Sequence, residues 1–227
     1  MVKEREQKII FTIVVVACII LFAFAISPKT LQNDTYYTIK IGEYIYENGI
    51  SNLTEDVFSW HELPYTYPHW LYDLCIFLIY NVFGHAGIYA STIILASILG
   101  MIIYRLCSRF SKNEVVSLII TIGSMYLLEP YVAARAQLLT FVLFALTLYF
   151  IEMFLETHKK RYAVGLIIIP LIIANVHCAV FPFYFVLYLP YVAEFLWISF
   201  IDWDVDKKLQ RLIYKIAIKF CKMIIYV

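Results

Sequence analysis

Trp70-Leu71-Tyr72-Asp73-Leu74-Cys75-Ile76-Phe77-Leu78-Ile79-Tyr80-Asn81-Val82-Phe83 is the stretch on which the fold turns. If it crosses a membrane, every later loop changes side. At about 1.5 Å per residue the run extends about 21 Å, short of a hydrocarbon core of about 30 Å. Crossing would also put Arg105, Arg109 and Lys112 outside, together with Lys159, Lys160, Arg161, Lys207, Lys208 and Arg211. That inverts the positive bias of cytoplasmic loops at successive turns. Laid along the outer surface, the run returns all those clusters to the cytoplasm and leaves only Lys29, Lys40 and Arg135 outside. Its pattern agrees. His69, Asp73 and Tyr80 share one helical stripe, with Leu71, Leu74, Leu78 and Val82 turned away. Residues 70–83 therefore read as an interfacial helix.

The remainder of the chain sets the class. Of its 227 residues 63% are hydrophobic and 15% charged, more apolar surface than a soluble domain of this size can use. The apolar runs are continuous, not alternating, which excludes a transmembrane β-barrel. The expectation is an all-α polytopic membrane protein forming one transmembrane module over 1–227. Spans fall near 9–26, 86–104, 115–128, 138–155, 162–176 and 178–201, with a possible further one at 212–227. The first run follows Lys3, Arg5 and Lys8 like a secretory signal. It is long enough to span and lacks a small-residue cleavage site, so it reads as a retained helix with a cytoplasmic N-terminus. A net charge of +1 gives no reason to expect nucleic acid as a partner. The five cysteines are scattered, with neither metal nor disulfide spacing, and read as small apolar residues. No internal repeat or low-complexity tract is present.

Against this apolar background one polar segment stands out, the outer loop 27–85. It holds Asp34, Glu43, Glu47, Glu55, Asp56, His61, Glu62 and His69. A second surface helix is expected near 34–48, capped by Asn33 or Asp34 and ended by Gly49. Residues 52–68, with Pro64 and Pro68, read as irregular. The short loop 129–137 and the Asn175-Val176-His177 segment reach the same side. These three pieces are expected to converge on one external site.

Four sequence pieces, in this order and spacing, resemble the GT-C superfamily of membrane glycosyltransferases. The first is Asp34-Thr35-Tyr36-Tyr37 with Ile41-Gly42-Glu43 and Asn48-Gly49 after it, similar to the family's acidic start of the first outer loop. The second is Tyr67-Pro68-His69-Trp70-Leu71 leading to Val82-Phe83-Gly84. The third is Ala134-Arg135-Ala136-Gln137, and the fourth Ala174-Asn175-Val176-His177. The likeness covers roughly residues 9–200. It implies transfer of a sugar from a polyprenyl-phosphate lipid to an acceptor at the outer face, in a bacterial cell membrane. Family members have about ten or more spans, whereas this chain stops inside an apolar run. The resemblance thus implies an N-terminal module, with a missing C-terminal half or a partner subunit. Family members often carry paired acids in the first loop; here Asn33 precedes Asp34. A divalent metal is left open, and no metal ligand is assigned.

Sugar transfer to a hydroxyl needs a base on the acceptor and a stabilised phosphate leaving group. By resemblance Asp34 is the catalytic base; as a plain residue it would cap the following helix. The substrate-binding candidates are Glu129, Arg135, His69, Asp73 and His177. Glu129 lies where a span meets the outer surface, as a second acid or a partner for Arg135. Arg135 carries a fork suited to a lipid phosphate. His69 and Asp73 stand one turn apart, within bonding reach. They line a sugar cavity or form the wet face of the surface helix. His177 ends the fifth span and reads as a site residue or a structural interfacial histidine. Two other functions compete. A secondary transporter places ionisable groups within its spans, yet 86–104 and 115–128 hold no charged side chain and 138–155 holds only Glu152, near its expected cytoplasmic end. A non-catalytic or truncated protein of the same fold is the other alternative.

Overall fold

The computed structural model describes residues 2–50, 54–61 and 63–201. The candidate span 212–227, Glu62 and the basic residues Lys207, Lys208 and Arg211 lie outside them. The chain divides into two compact units, Met1–Tyr184 and Phe185–Val227.

Among the described residues regular structure is helical, save for one isolated bridge between Glu55 and Pro64. The helices are α1 (Val2–Ile26), α2 (Asn33–Asn48), α3 (Trp70–Ser111), α4 (Glu114–Leu127), α5 (Ala136–Thr157), α6 (Lys160–Val176), α7 (Phe181–Val186) and α8 (Leu189–Ile201). Among the described residues four stretches are long and apolar enough to cross a membrane: Arg5–Ile26, Trp70–Ser111, Ala136–Thr157 and Cys178–Trp197. The 14 residues of α4 and the 17 of α6 are shorter. The run 178–201 is also not one helix. It opens with a 3-10 turn, Cys178–Val180, continues as α7, and breaks before α8.

α3 carries both the interfacial stretch and the following span in 42 residues. A straight helix of that length would reach about 63 Å, twice a hydrocarbon core. It is not straight. Gly84 sits at φ 60° and ψ −151°, a conformation open only to glycine, and the helix axis breaks there. The boundary thus falls one residue past the expected 70–83.

α3 is the hub of the first unit, touching α1, α2, α4, α5 and α6. Two apolar clusters hold it. Val15, Ile19 and Ala23 of α1 meet Ala96 and Leu99 of α3, Met125 of α4 and Leu138 and Val142 of α5. Gly100 lets these backbones close; an added Cβ would stand 2.6 Å from Met125 Sδ and 2.7 Å from Ile19. The second cluster joins Ile39 of α2, Tyr72, Ile76, Phe77 and Ile88 of α3, Ala134, Ala136 of α5 and Val176 of α6. Buried hydroxyls need no partner helix. Thr92, Thr121, Thr140 and Thr147 each donate to the carbonyl four residues back, at 2.7 to 3.0 Å. That is the cheapest way to satisfy a polar group where water is absent.

α2 lies against the first part of α3 and crosses it at Gly42. A Cβ there would come within 2.2 Å of the Asp73 carbonyl and 2.6 Å of Phe77 Cβ. Gly49 ends α2 as expected, its N–H reaching the Ile45 carbonyl at 2.9 Å. The start differs from the expectation. Gln32 occupies the cap position and no side chain caps the helix. Neither Asn33 nor Asp34 does so, because both lie inside the first turn and the Asp34 carboxylate is drawn to an arginine.

Candidate functional site

The loop between α4 and α5 runs through a 3-10 turn, Glu129–Tyr131, into Val132, Ala133 and Ala134, all buried. The alanines are small enough for the first turn of α2 to settle on them, and Thr35 Oγ1 donates to the Ala134 carbonyl at 3.3 Å. Arg135 follows in extended conformation at the cap position of α5. Its guanidinium meets the Asp34 carboxylate at 2.5 Å. Asp34 is 67% exposed and Arg135 41%, so water screens the pair. The Arg135 Nε is nevertheless buried and finds no partner. Glu129, expected as an alternative partner of Arg135, is exposed and makes no ion pair among the described residues.

Pro68 brings the second piece. Its carbonyl accepts from the Cys178 N–H at 2.7 Å, which ties the entry of α3 to the end of α6. His69 then precedes α3 and points its Nδ1 at Asp73, 2.8 Å from each carboxylate oxygen. Asp73 has no exposed side-chain surface, whereas His69 keeps 28%. The polar stripe of residues 70–83 is therefore not wet at Asp73. It faces α2, whose Gly42 covers it, and Thr38 of α2 bonds the same carboxylate. Burial pushes the Asp73 carboxyl upward, opposed by the bonds from His69 and Thr38. The Asp73 carboxylate holds the His69 imidazolium above its ordinary range, against the pull of burial. With both groups shifted upward, the pair keeps a proton tightly.

His177 closes α6, with its Nδ1 3.0 Å from Thr140 Oγ1. That hydroxyl already donates to the Ala136 carbonyl at 2.9 Å. It can only accept from the imidazole, so His177 carries its proton on Nδ1. Burial, and the neighbouring His69, depress its basicity. Both histidines thus have Nδ1 occupied, and among the described residues neither Nε2 has a hydrogen bond.

The three pieces meet here: α2 with the entry of α3, the loop before α5, and the end of α6. Asp34 with Arg135, and His69 with Asp73 and His177, sit on the shared framework of the second apolar cluster. The arrangement offers a guanidinium fork, an exposed carboxylate, the Nε2–H of the His69 imidazolium and the Nε2 lone pair of a neutral His177. No group of three or more acids, cysteines and histidines able to hold a metal occurs among the described residues. Sequence reasoning missed Thr35, Thr38 and Thr140, which position the named groups. Thr140 was legible as one of the few polar side chains in its run; Thr38 became informative only once α2 was laid on α3. Compared with known protein families, curated proteins and solved structures, the chain matches none of them.

Proposed function

We propose that this chain is a GT-C-type membrane glycosyltransferase module, moving a sugar from a polyprenyl-phosphate-type lipid to an acceptor hydroxyl at the outer face of a bacterial cell membrane. The observation that carries the reading is the Asp34–Arg135 pair, in which an exposed acid and a cation with an unpartnered Nε stand together. The module in this reading has six spans, a cytoplasmic N-terminus, and residues 70–83 lying at the outer interface.

The chemistry follows from the residue types. The acceptor oxygen attacks the anomeric carbon. The bond from that carbon to the phosphate oxygen breaks, and its electron pair leaves with the polyprenyl phosphate. The acceptor proton passes to Asp34. A carboxylate already held by a guanidinium is a weakened base. A donor phosphate, itself suited to bidentate capture, competes for the Arg135 fork and releases Asp34 as it binds. His69, held by Asp73, and His177, held by Thr140, present Nε2 to sugar hydroxyls. Glu129, at the exposed rim, is left for the acceptor side.

Asp34→Asn keeps size and polarity but removes the base. Membranes bearing it, supplied with donor lipid and acceptor, are expected to lose at least about a hundredfold in transfer rate, the range of one general base. Unchanged transfer would remove Asp34 from the mechanism. The ion pair itself favours a second reading, a non-catalytic protein of the same fold. Donor-lipid binding without turnover by the intact protein selects that one.

A further inference from the structure

Beside the crossing at Gly42, α2 and the first part of α3 enclose a cleft of about 190 Å³. Tyr36, Ile39, Lys40 and Glu43 line one wall, Phe77 and Tyr80 the other. Spacings of four and three residues put Tyr36, Lys40 and Glu43 on one face of α2, and Phe77 and Tyr80 on one face of α3. His85, just beyond the Gly84 break, braces both tyrosines edge to face, with ring centres 6.1 Å from Tyr36 and 5.2 Å from Tyr80. The aromatic walls are thereby fixed across two helices. At the cleft stand Lys40 and Glu43, joined to each other at 2.5 Å.

We propose that this cleft binds one neutral sugar ring. Three features select that chemistry. The volume lies below the roughly 300–1,000 Å³ of drug-sized sites and admits a single ring. The walls are aromatic, and they suit the apolar face of a flat, amphipathic molecule. The polar contribution is one ammonium and one carboxylate, so the cleft is neutral overall while offering both donors and acceptors. The pair is neutral as a unit, so an ion of either sign gains no net charge attraction there, while the hydroxyls of a polyol can bond to both members.

The cleft is separate from the transfer site. Residues 34 and 36 are two apart on α2, and their side chains leave on nearly opposite faces. It therefore holds a part of a glycan away from the reacting bond, where binding energy from non-reacting groups is gathered. This inference goes beyond the transfer reading and needs only that α2 meets carbohydrate.

The test is ligand-observed saturation-transfer NMR on the full chain in nanodiscs, with methyl glucoside, methyl mannoside and methyl galactoside as probes and hexanol as an apolar competitor. We expect saturation at ring protons for at least one glycoside, lost at least about tenfold in Tyr36→Ala and Tyr80→Ala. Lys40→Met, which leaves an unpaired Glu43, is expected to weaken the signal as well. Melting temperatures of the variants show that the fold is kept, and the Glu43→Gln variant, which preserves shape, supplies a second reading if either tyrosine variant unfolds. No glycoside signal, or signal unchanged in the folded variants, overturns the proposal. So does hexanol binding in the cleft with no sugar bound. The outcome is independent of the base. Glycoside binding in a protein whose Asp34→Asn variant still transfers sugar supports the cleft while the transfer mechanism fails. A transfer-dead Asp34→Asn variant with no glycoside binding in the parent chain supports the transfer mechanism while the cleft fails.

Discussion

Asp73 is a carboxylate with no exposed side-chain surface, and it survives there because His69 and Thr38 both bond it. Removing the imidazole leaves an uncompensated buried acid. His69→Ala is therefore expected to cost about 3 kcal/mol, as for one lost partner of a buried pair, read from denaturation in detergent micelles. The pH dependence has a definite sign. Both members are shifted upward, so the folded chain binds protons more tightly than the unfolded one. The Asp73 share of this stability fades as pH rises from the acid range through its own raised value, and the His69 share is complete below the ordinary imidazole value of about 6.5. It is lost as pH rises through the elevated value of His69, because stability falls with pH wherever the native state holds more protons. Unfolding midpoints measured across neutral to alkaline pH are expected to fall for the parent chain and to stay flatter for Asp73→Asn. The Asp34–Arg135 pair is different. Its exposure limits it to about 1 kcal/mol or less. Asp34→Asn should barely move the melting temperature, so any large loss of transfer in that variant belongs to chemistry. At this scale the sequence was partly legible. The one-turn spacing of His69 and Asp73 announced their bond, but the burial of Asp73 was hidden, since it depends on α2 covering that face.

Elements show where backbone geometry decides. Gly84 meets nothing within 4 Å, so a methyl group there has space, yet its φ of 60° remains hostile to any side chain. Gly84→Ala is expected to destabilise by about 1–3 kcal/mol through conformation alone. Gly123, inside α4 with equally open surroundings, supplies the contrast. Gly123→Ala should be neutral or stabilising by up to about 1 kcal/mol. Thermal melts of the two variants in one detergent check both. Gly42 is limited by contact instead. Gly42→Ala drives a methyl into the Asp73 carbonyl, separates α2 from α3 and is expected to cost about 2 kcal/mol or more. The C-terminal end of α2 and the break before residue 85 were legible because glycine is the chain's own punctuation. The missing side-chain cap was not. An acid in the first turn reads as a cap until an arginine some hundred residues later draws it aside.

For the whole molecule the open quantity is orientation. Cysteines introduced singly at Asp34, Glu47, Lys112 and Lys160 all occupy exposed positions. In intact cells the first two are expected to react with a membrane-impermeant thiol reagent, and the last two only after permeabilisation. Labelling of position 34 from the cytoplasmic side alone would defeat the transfer reading, since the donor lipid would meet the wrong face. Composition and run length were enough to see a helical protein with membrane-length segments, because apolar excess leaves a helix as the economical way to bury backbone polar groups in lipid. What they could not supply was adjacency. Arg135 beside Asp34, His177 beside His69, and the cleft between Tyr36 and Tyr80 each join residues from distant parts of the chain or from two separate helices. Local spacing encodes a helix and its faces, but which face meets which is settled by close packing at small residues such as Gly42, Gly100 and Ala134, and that is a property of the folded chain.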